Sequence, residues 1–337
     1  MGNLSRKQVL ALLGGALTSL AFAGLSGCSG GEPGVAESSG TEAGTPSGGF
    51  PYTVDTPIDN VRSDATFGSW GRLLFPVDEG FMSGNTLGAL NLTWYSCIDP
   101  SKTVEICNYL HDQAASGAQV FYDIYSDDEK AANPGKSDTG LFFFQGEKDA
   151  PFAIWNAGGG FAYVAAMHDS FPHALELSKR GYNAFAVVYR PGAQTACEDL
   201  SRAVSFVFDH AEELGVSTDG YLLGGGSAGA RMSAWVGGYG TAAFGEPGHP
   251  QQIAVVTQYT GLSEWQESDP ATFANVGTSD PIANWRVMQE RTDEMSSAGI
   301  PTELHVYQGL RHGFGLGTGT EAEGWIDQAV AFWEAQR

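Results

Sequence analysis

The sequence predicts an α/β architecture: a mostly parallel central sheet with helices on both faces and a small N-terminal extension. Three observations carry that expectation. Short apolar runs of strand character alternate with longer amphipathic stretches after about residue 118, an alternation that calls for parallel strands joined by helical crossovers. Several of the strand-like runs end in Gly-rich or polar turns. One of those turns, Gly225-Gly226-Ser227-Ala228-Gly229, lies between a strand-like run and a helix-like one. The composition, 42% hydrophobic and 17% charged, is globular.

Taken in order, residues 119–125 and 140–144 read as strands separated by a polar loop containing Asn133-Pro134-Gly135. Residues 152–155 form a third strand that runs into Gly158-Gly159-Gly160. A helix over 171–180 and a strand over 184–189 follow. In 201–214, Val204, Phe208 and Ala211 recur at helical spacing while Asp209, Glu212 and Glu213 point away, which predicts a helix. Residues 220–223 supply the strand before Ser227, and 228–236 the helix after it. Strands over 254–259, 273–277 and 303–307 alternate with helices over 285–298 and 325–333. The core thus spans 118–337. Residues 50–117 form the extension, in which Asp99-Pro100 signals a helix start and Val104, Ile106, Leu110 and Ala114 suit the helix beyond it.

The chain opens with a targeting pattern. Arg6 and Lys7 precede an apolar run over 9–25 that ends in Leu25-Ser26-Gly27-Cys28. A basic segment, an apolar segment and small residues before a cleavage point make an export signal over 1–27. The ending resembles the bacterial lipobox, which implies lipidation of Cys28 and a membrane anchor. The basic pair leaves the export route, general secretory or twin-arginine, open. Residues 28–49 are mostly Gly, Ser, Glu, Thr and Pro with little to bury, and are expected to be a flexible tether. Net charge is −22, which disfavours nucleic acid as a partner because phosphate contacts need clustered Lys and Arg. The spacing of Cys97 and Cys107 permits a disulfide and equally well two ordinary buried thiols. Cys197 falls near a helix start. No Cys/His spacing suits a metal, and His168 and His173 have no partner pattern.

The Gly-rich turn also satisfies a dinucleotide fingerprint, Gly224-x-Gly226-x-x-Gly229. That fold needs a second strand ending in an acid about 20 residues on. Residues 241–247 carry Glu246 without an apolar run before it, so no cofactor is implied. A second Gly-x-Ser-x-Gly, around Ser29, is set among Gly, Ser, Glu and Pro, without the strand-like and helix-like runs that flank Ser227.

With strand before and helix behind, Ser227 has the context of a nucleophile elbow. A serine needs a histidine base and an orienting carboxylate to become a nucleophile. Asp280 follows the strand over 273–277, and His312 follows the last strand. The order Ser…Asp…His is that of the α/β-hydrolase fold. An oxyanion would need preorganised donors; the N–H of Ala228, with Gly159 or Gly160, can provide them.

From about residue 142 to the C-terminus the chain resembles bacterial α/β-hydrolase esterases of the acetylxylan-esterase and feruloyl-esterase-like type. The resemblance rests on Gly158-Gly159-Gly160-Phe161, Arg180-Gly181-Tyr182-Asn183-Ala184, Tyr189-Arg190-Pro191, the segment 199–204, the elbow, Gly277-Thr278-Ser279-Asp280, and His312-Gly313-Phe314-Gly315. It implies Ser227, Asp280 and His312 as catalytic residues, no metal, and a small-molecule or carbohydrate ester as substrate. Many esterases carry a histidine before the glycine run, where it helps to order the oxyanion loop; here that position is Ala157. Peptidases of the prolyl-oligopeptidase type share this core but usually carry a propeller, for which 50–117 is too short. A non-catalytic surface-binding lipoprotein is the remaining alternative.

Overall fold

The computed structural model describes residues 51–95 and 97–337. The export signal, Cys28 with its lipidation, and the tether lie outside the described residues. Eight strands form one sheet: β1 (Phe121–Tyr122), β2 (Gly140–Phe144), β3 (Pro151–Asn156), β4 (Asn183–Val188), β5 (Ser217–Gly226), β6 (Ala254–Gln258), β7 (Ala271–Gly277) and β8 (Thr302–Tyr307). Their spatial order is β1-β2-β4-β3-β5-β6-β7-β8. The pairs β1–β2 and β2–β4 are antiparallel and the rest parallel.

Every residue of β2, β3, β4, β6 and β7 is buried, so the sheet is covered on both faces. Continuous apolar runs such as Gly140-Leu141-Phe142-Phe143-Phe144 are what a strand without a solvent face requires. The main helices are α1 (Pro100–Ala115), α2 (Phe171–Lys179), α3 (Ala193–Asp209), α4 (Ala228–Tyr239), α5 (Trp285–Ser297) and α6 (Trp325–Glu334). Tyr52–Arg337 form one compact unit, extension included. Among the described residues no helix is long and apolar enough to cross a membrane.

The extension's helix starts where expected. The Asp99 side chain accepts hydrogen bonds from the Ser101 and Lys102 amides with Pro100 in the first turn, which satisfies donors that have no partner within the helix. Its buried face is Thr103, Ile106, Cys107 and Leu110, while Val104 is half-buried.

That face overturns the Cys97–Cys107 disulfide: both are free thiols, Cys107 buried and Cys97 exposed. Cys107 is turned into the core, and burial pushes its thiol well above the usual range.

Sheet register positions the candidate site. Asn156 at the end of β3 stands opposite Gly225, Gly226 opposite Gln258, Gln258 opposite Asn275, and Gly277 opposite Tyr307. Five carboxyl ends therefore form one row, and the loops beyond them lie side by side. This is where parallel sheets bind ligands.

Candidate active site

Ser227 sits between β5 and α4 at φ 51°, ψ −116°. A non-glycine residue pays for that conformation in strain, and here the surroundings over-determine it. The Ser227 amide donates to the Gln258 carbonyl at 2.9 Å. Asn156 Nδ2 donates to the Gly224 carbonyl at 3.1 Å and lies 2.9 Å from Ser233 Oγ, whose own hydroxyl donates to Gly224 and Gly229. Glycine is required at Gly226, because a Cβ there would collide with the Asp169 carboxylate.

The three residues expected to act together are brought together. His312 Nε2 lies 3.1 Å from Ser227 Oγ, and His312 Nδ1 lies 2.8 Å from Asp280 Oδ2. Asp280 Oδ1 accepts from the Ile282 and Ala283 amides at 2.7 and 2.8 Å, so the carboxylate is fixed on both oxygens. It caps this turn and not α5, whose cap is Asn284. With Nδ1–H directed at Asp280, Nε2 is left to accept the serine proton, a tautomer assigned from the bonding partners. The Asp280 side chain is fully buried and that of His312 nearly so, which shields the pair from competing water.

Ala228, Gly159 and Gly160 are the residues expected to form an oxyanion hole. Ala228 opens α4, where a first-turn amide has no partner within the helix. Gly159 and Gly160 adopt φ 125° and 63°, conformations that glycine accepts without strain. The glycine run is pressed against Ser227: a Cβ on Gly158 would lie 2.7 Å from Ser227 Cβ.

Several residues at the site escaped the sequence reading. Asp169, on the short helix Ala166–Asp169, is completely buried. Its Oδ2 accepts from the Gly158 amide and the Tyr95 hydroxyl, each at 2.7 Å, and its Oδ1 accepts from the Tyr259 hydroxyl. Burial pushes its carboxyl above the ordinary range, against the opposing pull of His168 and these three donors. His168 Nε2 bonds the Gly313 carbonyl at 2.8 Å, next to His312. The only signal for Asp169 was an acid beside the apolar run of the next helix; for Tyr95, in an irregular segment of the extension, there was none.

Aromatic rings flank the loop. Trp94 packs on Gly160, Phe81 stacks on Tyr163 at 4.8 Å, and Phe161 stacks on Trp235 at 5.9 Å. Trp155, Trp235, Trp325 and Trp333 are buried, and the other tryptophans are half-buried. His173 is a core residue stacked on Trp155 at 4.7 Å; burial lowers its pKa to about 3. Cys197 is buried inside α3. Among the described residues no cluster of His, Cys, Asp and Glu is arranged to hold a metal ion.

Residues 143–285 match the BD-FAE family model. No curated protein sequence matches the chain. Among solved structures, a bifunctional acetyl ester-xyloside hydrolase from Caldicellulosiruptor lactoaceticus is 20% identical with a TM-score of 0.56, covering 64% of this chain and 95% of its own. Esterase 2 of Thermogutta terrifontis with propionate bound is 21% identical with a TM-score of 0.53, covering 64% and 93%. MGS-M1, an α/β hydrolase from a Medee basin deep-sea metagenome library, is 21% identical with a TM-score of 0.51, covering 59% and 92%. Sheet order, elbow and these likenesses agree: the chain has the α/β-hydrolase fold, resembles bacterial esterases built on it, and matches the BD-FAE family model over 143–285.

Proposed function

We propose that this protein is a serine hydrolase that cleaves carboxylic esters, short-chain acyl or carbohydrate esters among them, through an acyl-enzyme intermediate. One observation carries the proposal: the continuous chain Ser227 Oγ, His312 Nε2, His312 Nδ1 and Asp280 Oδ2, with contacts of 3.1 and 2.8 Å. His312 takes the serine proton as Oγ attacks the ester carbonyl, and the carbonyl electron pair moves onto oxygen. The amides of Ala228 and of Gly159 or Gly160 hold that oxyanion. Collapse expels the alkoxide, which leaves as the alcohol with the proton from His312. Water then gives a proton to His312 and attacks the acyl group; the second collapse returns the proton to Ser227 and frees the acid. Short acyl groups are suggested by the fold relative that binds propionate. Lipidation at Cys28, with anchoring to the cell membrane, completes the proposal.

Hydrolysis of aryl esters from acetyl to octanoyl tests the chemistry. The wild-type chain is expected to favour the short esters, and Ser227→Ala to lose at least about 10⁴-fold in kcat. Equal turnover by the variant would sink the serine mechanism. A folded wild type inert toward every ester but active on peptide amides would make it a peptidase instead. Fatty-acid labelling of the wild type that disappears in Cys28→Ala tests the anchor; label in both would remove it.

A further inference from the structure

We propose that Asp169, held between Tyr95 and Tyr259, is the positioning residue that sets the oxyanion loop, and that the N-terminal extension completes the site by supplying Tyr95. The inference rests on the serine-hydrolase reading above and adds the means by which its oxyanion donors are aimed.

The Gly158 amide is the donor at the root of the loop. Bound to Asp169 Oδ2 at 2.7 Å, it is not available to substrate, and its peptide plane is fixed. Tyr189 Oη donates to the Ala157 carbonyl at 2.6 Å, the other polar end of the same peptide unit, so that plane is pinned at both ends. The next two peptide units, which carry the Gly159 and Gly160 N–H groups, run on from that pinned plane and are held through the Gly158 and Gly159 carbonyls by the Ala165 and Ala162 amides, each at 3.0 Å. An ordering histidine would stand at Ala157; here the Asp169 carboxylate takes that task through the Gly158 amide.

The carboxylate is itself immobile. Tyr95 bonds one oxygen and Tyr259 the other, and Gly226 lies against it. The Tyr95 ring is wedged between the two halves of the site. A Cβ on Gly158 would collide with its hydroxyl, and a Cβ on Gly313 would lie 2.6 Å from its ring. The Tyr259 ring meets that of His312 edge-on at 5.0 Å, and His168 holds the Gly313 carbonyl. Asp169 and its neighbour thus tie the oxyanion loop and the histidine loop to one short helix. Rigid supporting contacts of this kind are what let a preorganised donor act.

The experiment compares Asp169→Ala, Asp169→Asn and Tyr95→Phe in the full chain. It follows kcat and KM on an aryl acetate, and inhibition by an alkyl boronic acid, whose serine adduct mimics the tetrahedral oxyanion. Asp169→Ala is expected to lower kcat about 10²- to 10³-fold with KM within about twofold, and to weaken the boronate by a similar factor. Asp169→Asn keeps an acceptor for the Gly158 amide and is expected to restore kcat to within about tenfold of wild type. Tyr95→Phe is expected to lose roughly 3- to 30-fold in kcat and, should Asp169→Ala not fold, carries the test alone. A folded variant with unchanged kcat and boronate inhibition overturns the proposal, as does a loss confined to KM. If the wild type hydrolyses no ester, the serine-hydrolase reading fails; if it does and the variants match it, only the positioning role fails.

Discussion

Ser227 holds its hydroxyl out at a cost. A non-glycine residue at φ 51° carries about 1–3 kcal/mol of backbone strain, which the Gln258 carbonyl and the Asn156 bonds hold in place. Glycine tolerates that conformation and gives back about 0.5–1 kcal/mol in backbone entropy. Ser227→Gly is therefore expected to be inactive yet to melt above Ser227→Ala. Thermal unfolding of the two proteins decides it, and a glycine variant melting at or below the alanine one would show that the elbow is relaxed. At this scale the three side chains that meet, Ser227, His312 and Asp280, were legible in the sequence, because the nucleophile, base and acid proposed here need particular residue types at strand ends. Asp169 and Tyr95 were not. An aspartate looks the same on paper whether it is solvated or buried against Gly226.

Elements with a strong hydrophobic period were legible, and their ends less so. The strand expected over 119–125 shrinks to Phe121–Tyr122, at the sheet edge, where β2 is its sole neighbour in the sheet. The helix expected over 201–214 begins at Ala193 and breaks at His210, with Ala211–Leu214 as a separate turn. Ala196, Cys197 and Leu200 extend its buried stripe backwards, and no capping side chain marks the start. The helical phase of α1 has a chemical consequence. Alkylation of the denatured, unreduced chain is expected to modify both Cys97 and Cys107, and reductant to leave the melting temperature unchanged. A peptide linking the two residues would contradict the pair of free thiols.

Across the whole molecule, a charge cluster joins the extension to the core. Glu176 on α2 lies 3.1 Å from Lys102 on α1 and 2.9 Å from both Lys179 and Arg180, and Arg180 also reaches Asp327 on α6 at 2.6 Å. Partial burial works against ionisation of Glu176, but the hydrogen bonds from Lys179, Arg180 and Lys102 outweigh it and hold its pKa down to about 2. A folded pKa below the unfolded one stabilises at pH values above the unfolded one, here 4.5, and that stability is lost as pH falls through about 2. Discounted for solvent screening, the cluster contributes about 1 kcal/mol near neutral pH. Glu176→Gln is expected to be less stable by that amount at pH 7 and to converge on wild type as pH drops below the unfolded value. A pH-independent difference in denaturant midpoints would refute the assignment.

By itself the sequence determined the alternation of strands and helices, the turn that carries Ser227, and the order in which Asp280 and His312 follow it. These are local matters: periodicity sets which face is buried, and a strand end followed by glycine or aspartate is written in neighbouring residues. Only the tertiary structure decided that the extension brings Tyr95 to Asp169, that Asp169 holds the glycine loop through the Gly158 amide, and that Cys107 is a buried free thiol while Cys97 is exposed. Tyr95 and Asp169 are 74 residues apart in sequence and share one hydrogen bond. The burial that makes such a bond matter is created by the packing of the whole chain, so no window of sequence contains it.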